Sequence, residues 1–207
     1  MAKLNLGRGY GQLELNQFAA PRDGRIEAQL PLDSAKFHKA EVDYNGTAYE
    51  KDVPAEVGMI LVVDKVNRKI TAAAPTGKEM YALNYSTEHM YDEREPQLRK
   101  FCMYPAAPGY DYRGYDDFYP RMGFLAVGDR FTTNTVETGV EFEVKASNSE
   151  ILAAIQGIKG HFVGAGADGY WTVVGENLPE NGPAAQIVEI TTMPDGAPAV
   201  KLMIVRA

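Results

Sequence analysis

The sequence predicts a mainly β protein: a β-barrel or sandwich-like domain with an extended N-terminal arm, one or two short helices and a long Tyr-rich loop. Three observations lead there. The 20 glycines and 12 prolines are spread along the whole chain and cut it into short segments, the punctuation of barrels and sandwiches. Within those segments apolar residues alternate or run in short blocks, as they do in strands. Strands alternating with long helical patterns are missing, which disfavours a doubly wound nucleotide-binding fold.

Residues 1–23 read as the arm and residues 24–207 as the β domain. In the arm, Gly7, Gly9 and Gly11 make a flexible hinge between two short stretches, residues 3–6 and 12–18. Leu13 and Leu15 alternate with Glu14 and Asn16, and Pro21-Arg22-Asp23-Gly24 is a turn by composition. In the domain, Ile26, Ala28 and Leu30 alternate with Glu27 and Gln29. Residues 59–63 are a continuous apolar run, suited to a strand buried on both faces. They lead through residues 64–69 into Ile70-Thr71-Ala72, a hairpin whose turn uses Asn67. Residues 131–136 are expected to pair with residues 140–145 across Glu137-Thr138-Gly139, and residues 170–174 form an aromatic, β-branched strand. Ile187, Glu189 and Thr191 lead through Pro194-Asp195-Gly196 into Val200, Leu202 and Ile204, a hairpin that ties the last strand into a sheet. Ser147-Asn148-Ser149-Glu150 is a capping box, followed by an apolar face of Ile151, Leu152 and Ile155 until Gly157 ends the turn. Residues 86–94, with Pro96 just beyond, are the second short helix.

At 207 residues the chain is long enough for one β-rich domain with an arm. Its apolar fraction of 45% can bury a core. It carries 28 acids against 21 bases, a net charge of −7, and no basic run beyond Arg99-Lys100. Nucleic-acid binding needs clustered lysine and arginine, so no nucleic-acid partner is expected. The single cysteine, Cys102, lies between Phe101 and Met103 and reads as a small buried hydrophobe. With no second cysteine there is no intramolecular disulfide, which fits a reducing compartment or a particle assembled inside a cell. The first 17 residues hold no apolar run of signal-peptide type. No window approaches the ~20 apolar residues of a membrane span, so no membrane partner is expected either. Asn45-Gly46-Thr47 and Asn84-Tyr85-Ser86 match the glycosylation sequon, which carries meaning only in a secreted chain.

No catalytic residues, metal ligands or cofactors are assigned from the sequence. Residues 164–169 spell G-x-G-x-x-G, but that motif holds a pyrophosphate only when a helix follows it, and here Tyr170-Trp171-Thr172-Val173-Val174 follows. It reads as a glycine-rich β-turn. His38, His89 and His161 have no local partners of metal-site spacing. Asp111, Asp116 and Asp117 offer oxygens to a cation, without the spacing of an EF-hand, and solvated loop carboxylates are the simpler reading.

The informative segment is YPAAPGYDYRGYDDFYP, residues 104–120. It packs five tyrosines and three aspartates among Pro105, Pro108 and Pro120. The prolines stop a helix, and so long an irregular segment in a compact domain usually serves a purpose. Two compatible readings stay open: a loop folded over the domain's own surface, or an interface, since tyrosine gives large contact area at low entropic cost. The expected partner-binding residues are Tyr110, Tyr112, Tyr115 and Tyr119 in the loop, with Leu4, Leu6, Arg8 and Tyr10 in the arm. A carbohydrate-binding β module, stacking tyrosines on sugar rings beside aspartates, is the alternative.

The run MILVVDKVNRKITAAAP…YALNYSTEHMYDEREPQLRKF, followed by PRMGFLAVGDRFTTNTV, resembles virion structural proteins of tailed bacteriophages, in particular small β-barrel proteins that decorate or cement the capsid. The similar stretches cover residues 59–136. The resemblance implies a mostly-β domain, an arm lying across neighbouring coat subunits, and no catalytic residues. It also implies the major capsid protein or other virion proteins as partners, a homo-oligomer in the particle, and a location in the virion after synthesis in the host cytoplasm. The long tyrosine loop departs from that pattern.

Overall fold

The computed structural model describes residues 18–19, 26–27, 30–37, 55–85, 120–142 and 146–207. These form two sheets and a single α-helix, a mainly β, sandwich-like architecture. The larger sheet runs, from edge to edge, β1 (Phe18–Ala19), β7 (Arg130–Thr133), β12 (Pro198–Arg206), β11 (Ala184–Thr192), β9 (Phe162–Ala165), β10 (Trp171–Gly175) and β8 (Val136–Glu137). The smaller runs β2 (Ile26–Glu27), β6 (Met122–Gly123), β5 (Tyr81–Asn84), β3 (Ile60–Asp64) and β4 (Lys69–Thr71). All pairings are antiparallel except β10 with β8.

The core has two faces because β3 is buried on both, as its unbroken apolar run predicts. Ile60 joins Leu83, Phe131, Trp171, Ile187 and Leu202 in the main cluster, where helix α1 (Asn148–Ala154) adds Ile151. Leu61 and Val63 face the other way, onto Leu32, Phe37 and Ile70. Each such fully buried side chain contributes about 1.5–3 kcal/mol of transfer free energy. Trp171 is wholly buried and lies 5.9 Å from the Phe131 ring, tilted by 46°.

Local signals set several elements. The Ser147 hydroxyl accepts from the Glu150 N–H at 3.4 Å, and the Glu150 carboxylate accepts from the Ser147 N–H at 2.6 Å, closing the capping box. Asn148 Nδ2 donates to the Gly196 carbonyl at 2.8 Å, docking α1 onto the β11–β12 turn. That turn is Pro194-Asp195-Gly196, with Asp195 Oδ1 accepting from the Ala197 N–H at 2.8 Å. The G-x-G-x-x-G stretch is the β9–β10 hairpin turn. Gly169 has φ +89° and its carbonyl accepts from the Ile60 N–H at 2.8 Å, tying the two sheets together. A Cβ there would lie 2.6 Å from Leu61 Cδ2, so only glycine fits.

One expectation is corrected. Among the described residues, the expected pairing of residues 131–136 with residues 140–145 is not formed by residues 140–142. β7 instead pairs with β12 and β1, β8 pairs with β10, and residues 138–142 carry no strand. The chain changes partners at Asn134–Thr135: the Thr135 N–H turns onto Thr133 Oγ1 at 3.0 Å, and its carbonyl accepts from the Trp171 N–H at 3.2 Å. The β3–β4 turn uses Asn67 as expected: it donates from its backbone N–H (2.9 Å) and side-chain amide (2.7 Å) to the Asp64 carboxylate, and Arg68 beside it is left-handed (φ +54°).

The second helix expected at residues 86–94 lies outside the described residues. Of the arm, Phe18 and Ala19 pair with Thr133 and Thr132 at the edge of the larger sheet; residues 1–17 lie outside.

Candidate functional site

All eight expected partner residues, Leu4, Leu6, Arg8, Tyr10, Tyr110, Tyr112, Tyr115 and Tyr119, lie outside the described residues, as do Cys102, His38, His89, Asp111, Asp116 and Asp117. What the fold does fix is where the tyrosine segment is rooted. β5 and β6 are hydrogen-bonded neighbours, with Leu83 opposite Gly123 and Asn84 opposite Met122. The Tyr85 N–H donates to the Arg121 carbonyl at 3.1 Å. The two residues that flank the undescribed stretch, Tyr85 and Arg121, thus lie side by side at the end of the β5–β6 pair.

The root stands on a buried polar base. Asn84 is fully buried; its side-chain Nδ2 donates to the Glu56 carbonyl at 3.0 Å and its backbone carbonyl accepts from the Gly58 N–H at 2.7 Å. That amide is spent inside the fold, so Asn84 is no glycan acceptor here. Thr135, also fully buried, donates from Oγ1 to the Val57 carbonyl at 2.7 Å. Gly58, at φ +89°, lets the backbone approach so closely that a Cβ would meet Thr135 Oγ1 at 2.6 Å and Thr133 Oγ1 at 2.7 Å. Buried polar groups held this way fix a unique geometry, because each would cost about 1–3 kcal/mol if left unpaired. The base joins residues 55–58, the β5 and β6 ends, and the β7–β8 crossing into one anchor. The signal in the sequence was the spacing of Phe131, Thr133 and Thr135: polar residues at alternate positions running from β7 into the β7–β8 crossing.

At the opposite end of β3 the surface is of another kind. A cleft of about 290 Å³ opens between the 73–80 and 178–183 loops, lined by Glu79, Tyr81, Glu180, Gly182 and Arg206 among others. Its polar groups hold the loops. Arg206 donates from Nε to the Gly182 carbonyl and from Nη2 to the Pro179 carbonyl, both at 2.7 Å. The Thr76 hydroxyl, then the Thr76 N–H at 2.8 Å, pull the Glu79 carboxyl down to about 2. Tyr81 donates to the Ala73 carbonyl at 2.9 Å; burial, and then the Glu79 charge, push its phenol up to about 12. Both groups keep one protonation state across the physiological range, which suits an architectural role and not proton transfer.

Among the described residues no group of three or more His, Cys, Asp or Glu converges to hold a metal. His161, in the turn before β9, uses its backbone to bridge Ile158 and Ile187. No helix of the described residues is long and apolar enough to cross a membrane. No protein-family model, no curated protein and no solved structure matches the chain.

Proposed function

We propose that this chain is a non-enzymatic structural protein of a tailed-bacteriophage virion, associated with the capsid as a decoration, cement or minor head protein. The observation that carries the reading is that Tyr85 and Arg121, which flank the tyrosine-rich stretch in sequence, are hydrogen-bonded neighbours over the buried, hydrogen-bonded Asn84 and Thr135. A rigid base under a tyrosine-rich segment suits protein–protein contact, where tyrosine area contributes affinity and a fixed root limits the entropy lost on binding. The resemblance of residues 59–136 to phage decoration proteins and the acidic, two-sheet body support the same reading. The arm is the second proposed contact, through residues 1–17; Phe18 and Ala19 pair with Thr133 and Thr132 of the same chain and tie the base of the arm to the sheet edge. Contacts repeated over a symmetric particle can each be weak and still stabilise it.

Co-sedimentation with capsids of the same source tests this. The full chain is expected to pellet with the particles, and a chain lacking residues 1–17 to fold normally but pellet less. Absence of the full chain from the capsid fraction, or selective capture on a glycan array, would overturn it.

A further inference from the structure

The end of the molecule that carries the cleft is unusual in what it exposes. Among the described residues five large hydrophobics are exposed, and four of them, Val66, Met80, Val127 and Leu178, border this end. Their proximity follows from the pairing. Val66 tops the β3–β4 turn, and Met80 lies beside β3, its carbonyl accepting from the Val63 N–H at 2.8 Å. Val127 sits in the 124–129 loop, which the Gly128 N–H ties to the Ile204 carbonyl at 2.8 Å, two residues before Arg206 of the cleft. Lys65 of the turn reaches back over the Phe124 ring at 5.8 Å. Leu178 precedes Pro179, whose carbonyl Arg206 holds.

Two features of the turn itself stand out. Val66 is 90% exposed at its apex. Arg68 occupies the left-handed region at φ +54°, a conformation that costs a non-glycine residue about 1–2 kcal/mol. The turn presents the cations Lys65 and Arg68, while the cleft lining presents Glu79 and Glu180 against the single guanidinium of Arg206. Turn and cleft lie on the same end, since Tyr81 of the cleft pairs with Val62 of β3.

We propose that this end is a self-association surface whose occupant is a second copy of the chain. About a two-fold axis, the Val66 tip of one copy packs on the exposed Met80, Val127 and Leu178 around the cleft of the other, Arg68 faces the partner copy's Glu79 and Glu180 in the cleft lining, and the reverse contact forms at the same time. A surface that carries both a knob and its complement on one face is self-complementary, the requirement of an isologous dimer. Exposed apolar side chains clustered on one end are best covered by such a contact. The inference stands on this surface alone and needs neither the arm nor the virion reading.

Sedimentation velocity on the full chain from roughly 1 to 100 μM tests it, a range that brackets ordinary reversible association. Wild type is expected to pass from monomer to dimer. Val66→Asp is expected to weaken association by about tenfold or more, with circular dichroism unchanged because the side chain is exposed; Val127→Asp serves as an independent second variant. Arg68→Glu should weaken the dimer and Arg68→Glu with Glu180→Arg should restore it. A wild-type chain that stays monomeric throughout overturns the proposal. So does an association constant that neither Val66→Asp nor Arg68→Glu changes, a result that would leave the arm and tyrosine segment to account for any oligomer and the virion reading intact.

Discussion

The two ends of the sandwich use polar and apolar groups in opposite ways. At the root of the tyrosine excursion, Asn84, Thr133 and Thr135 are buried and bonded to backbone, so polarity works as internal fastening. At the tip end, Val66 and Val127 face solvent while carbonyls and carboxylates hold the loops, so apolar surface is left over for another molecule. The contrast teaches where to look for contact in a chain without a catalytic constellation among its described residues. Fastened polar groups mark what must not move, and unspent apolar groups mark what remains to be covered.

The contrast breaks most readily at Gly58. Gly58→Ala places a Cβ on Thr133 and Thr135 at a positive φ, and the expected cost is roughly 3 kcal/mol in a urea or thermal melt. A loss under about 0.5 kcal/mol would mean that the base is loose, not locked.

A smaller effect is expected at the root of the tip hairpin. Asp33 accepts from Lys69 Nζ at 2.8 Å, Thr71 Oγ1 at 3.0 Å and the Ala35 N–H at 3.2 Å. Burial raises the Asp33 carboxyl, but the bonds from Lys69, Ala35 and Thr71 outweigh it and hold it below its ordinary value. A carboxyl depressed in the folded state contributes stability that is present above its unfolded pKa of about 3.9 and is lost as pH falls through the folded value. Asp33→Asn should therefore cost about 1 kcal/mol near neutral pH, and the gap to wild type should narrow below about pH 4. A gap that does not change with pH would assign the loss to packing.

The smallest effect has the opposite sign. Arg68→Gly removes left-handed strain, so at concentrations where the chain is monomeric it should stabilise by about 0.5 kcal/mol. Destabilisation would show that the arginine side chain makes a stabilising contact within its own fold.

How far the sequence reached depends on how local each signal is. The Ser147–Glu150 cap and the Pro194-Asp195-Gly196 hairpin were legible because every group that makes them lies within a few residues. β3 was legible because burial on both faces leaves an unbroken apolar run. The partners of β7 and β8 were not, since strand pairing between segments far apart in the chain, as between Leu202 and Phe131 or Trp171 and Val136, leaves no local trace in alternation. The polar base was half visible: threonines in phase with Phe131 stand in the sequence, but only the approach of Gly58 reveals that they face inward. Arg68 hid for a related reason. Asn67 is the usual left-handed residue in such a turn, and its capture by Asp64 pushes that conformation one residue on.

The central proposal is that residues 104–119, which lie in sequence between the paired strands β5 and β6, serve a partner. Tyr112→Ala with Tyr115→Ala tests it most directly, with thermal melting and capsid co-sedimentation read on the same protein. The account predicts a stability change within about 1 kcal/mol and a binding loss of about 1–4 kcal/mol. A large fall in melting temperature with unchanged co-sedimentation would contradict it and return these rings to the protein's own core.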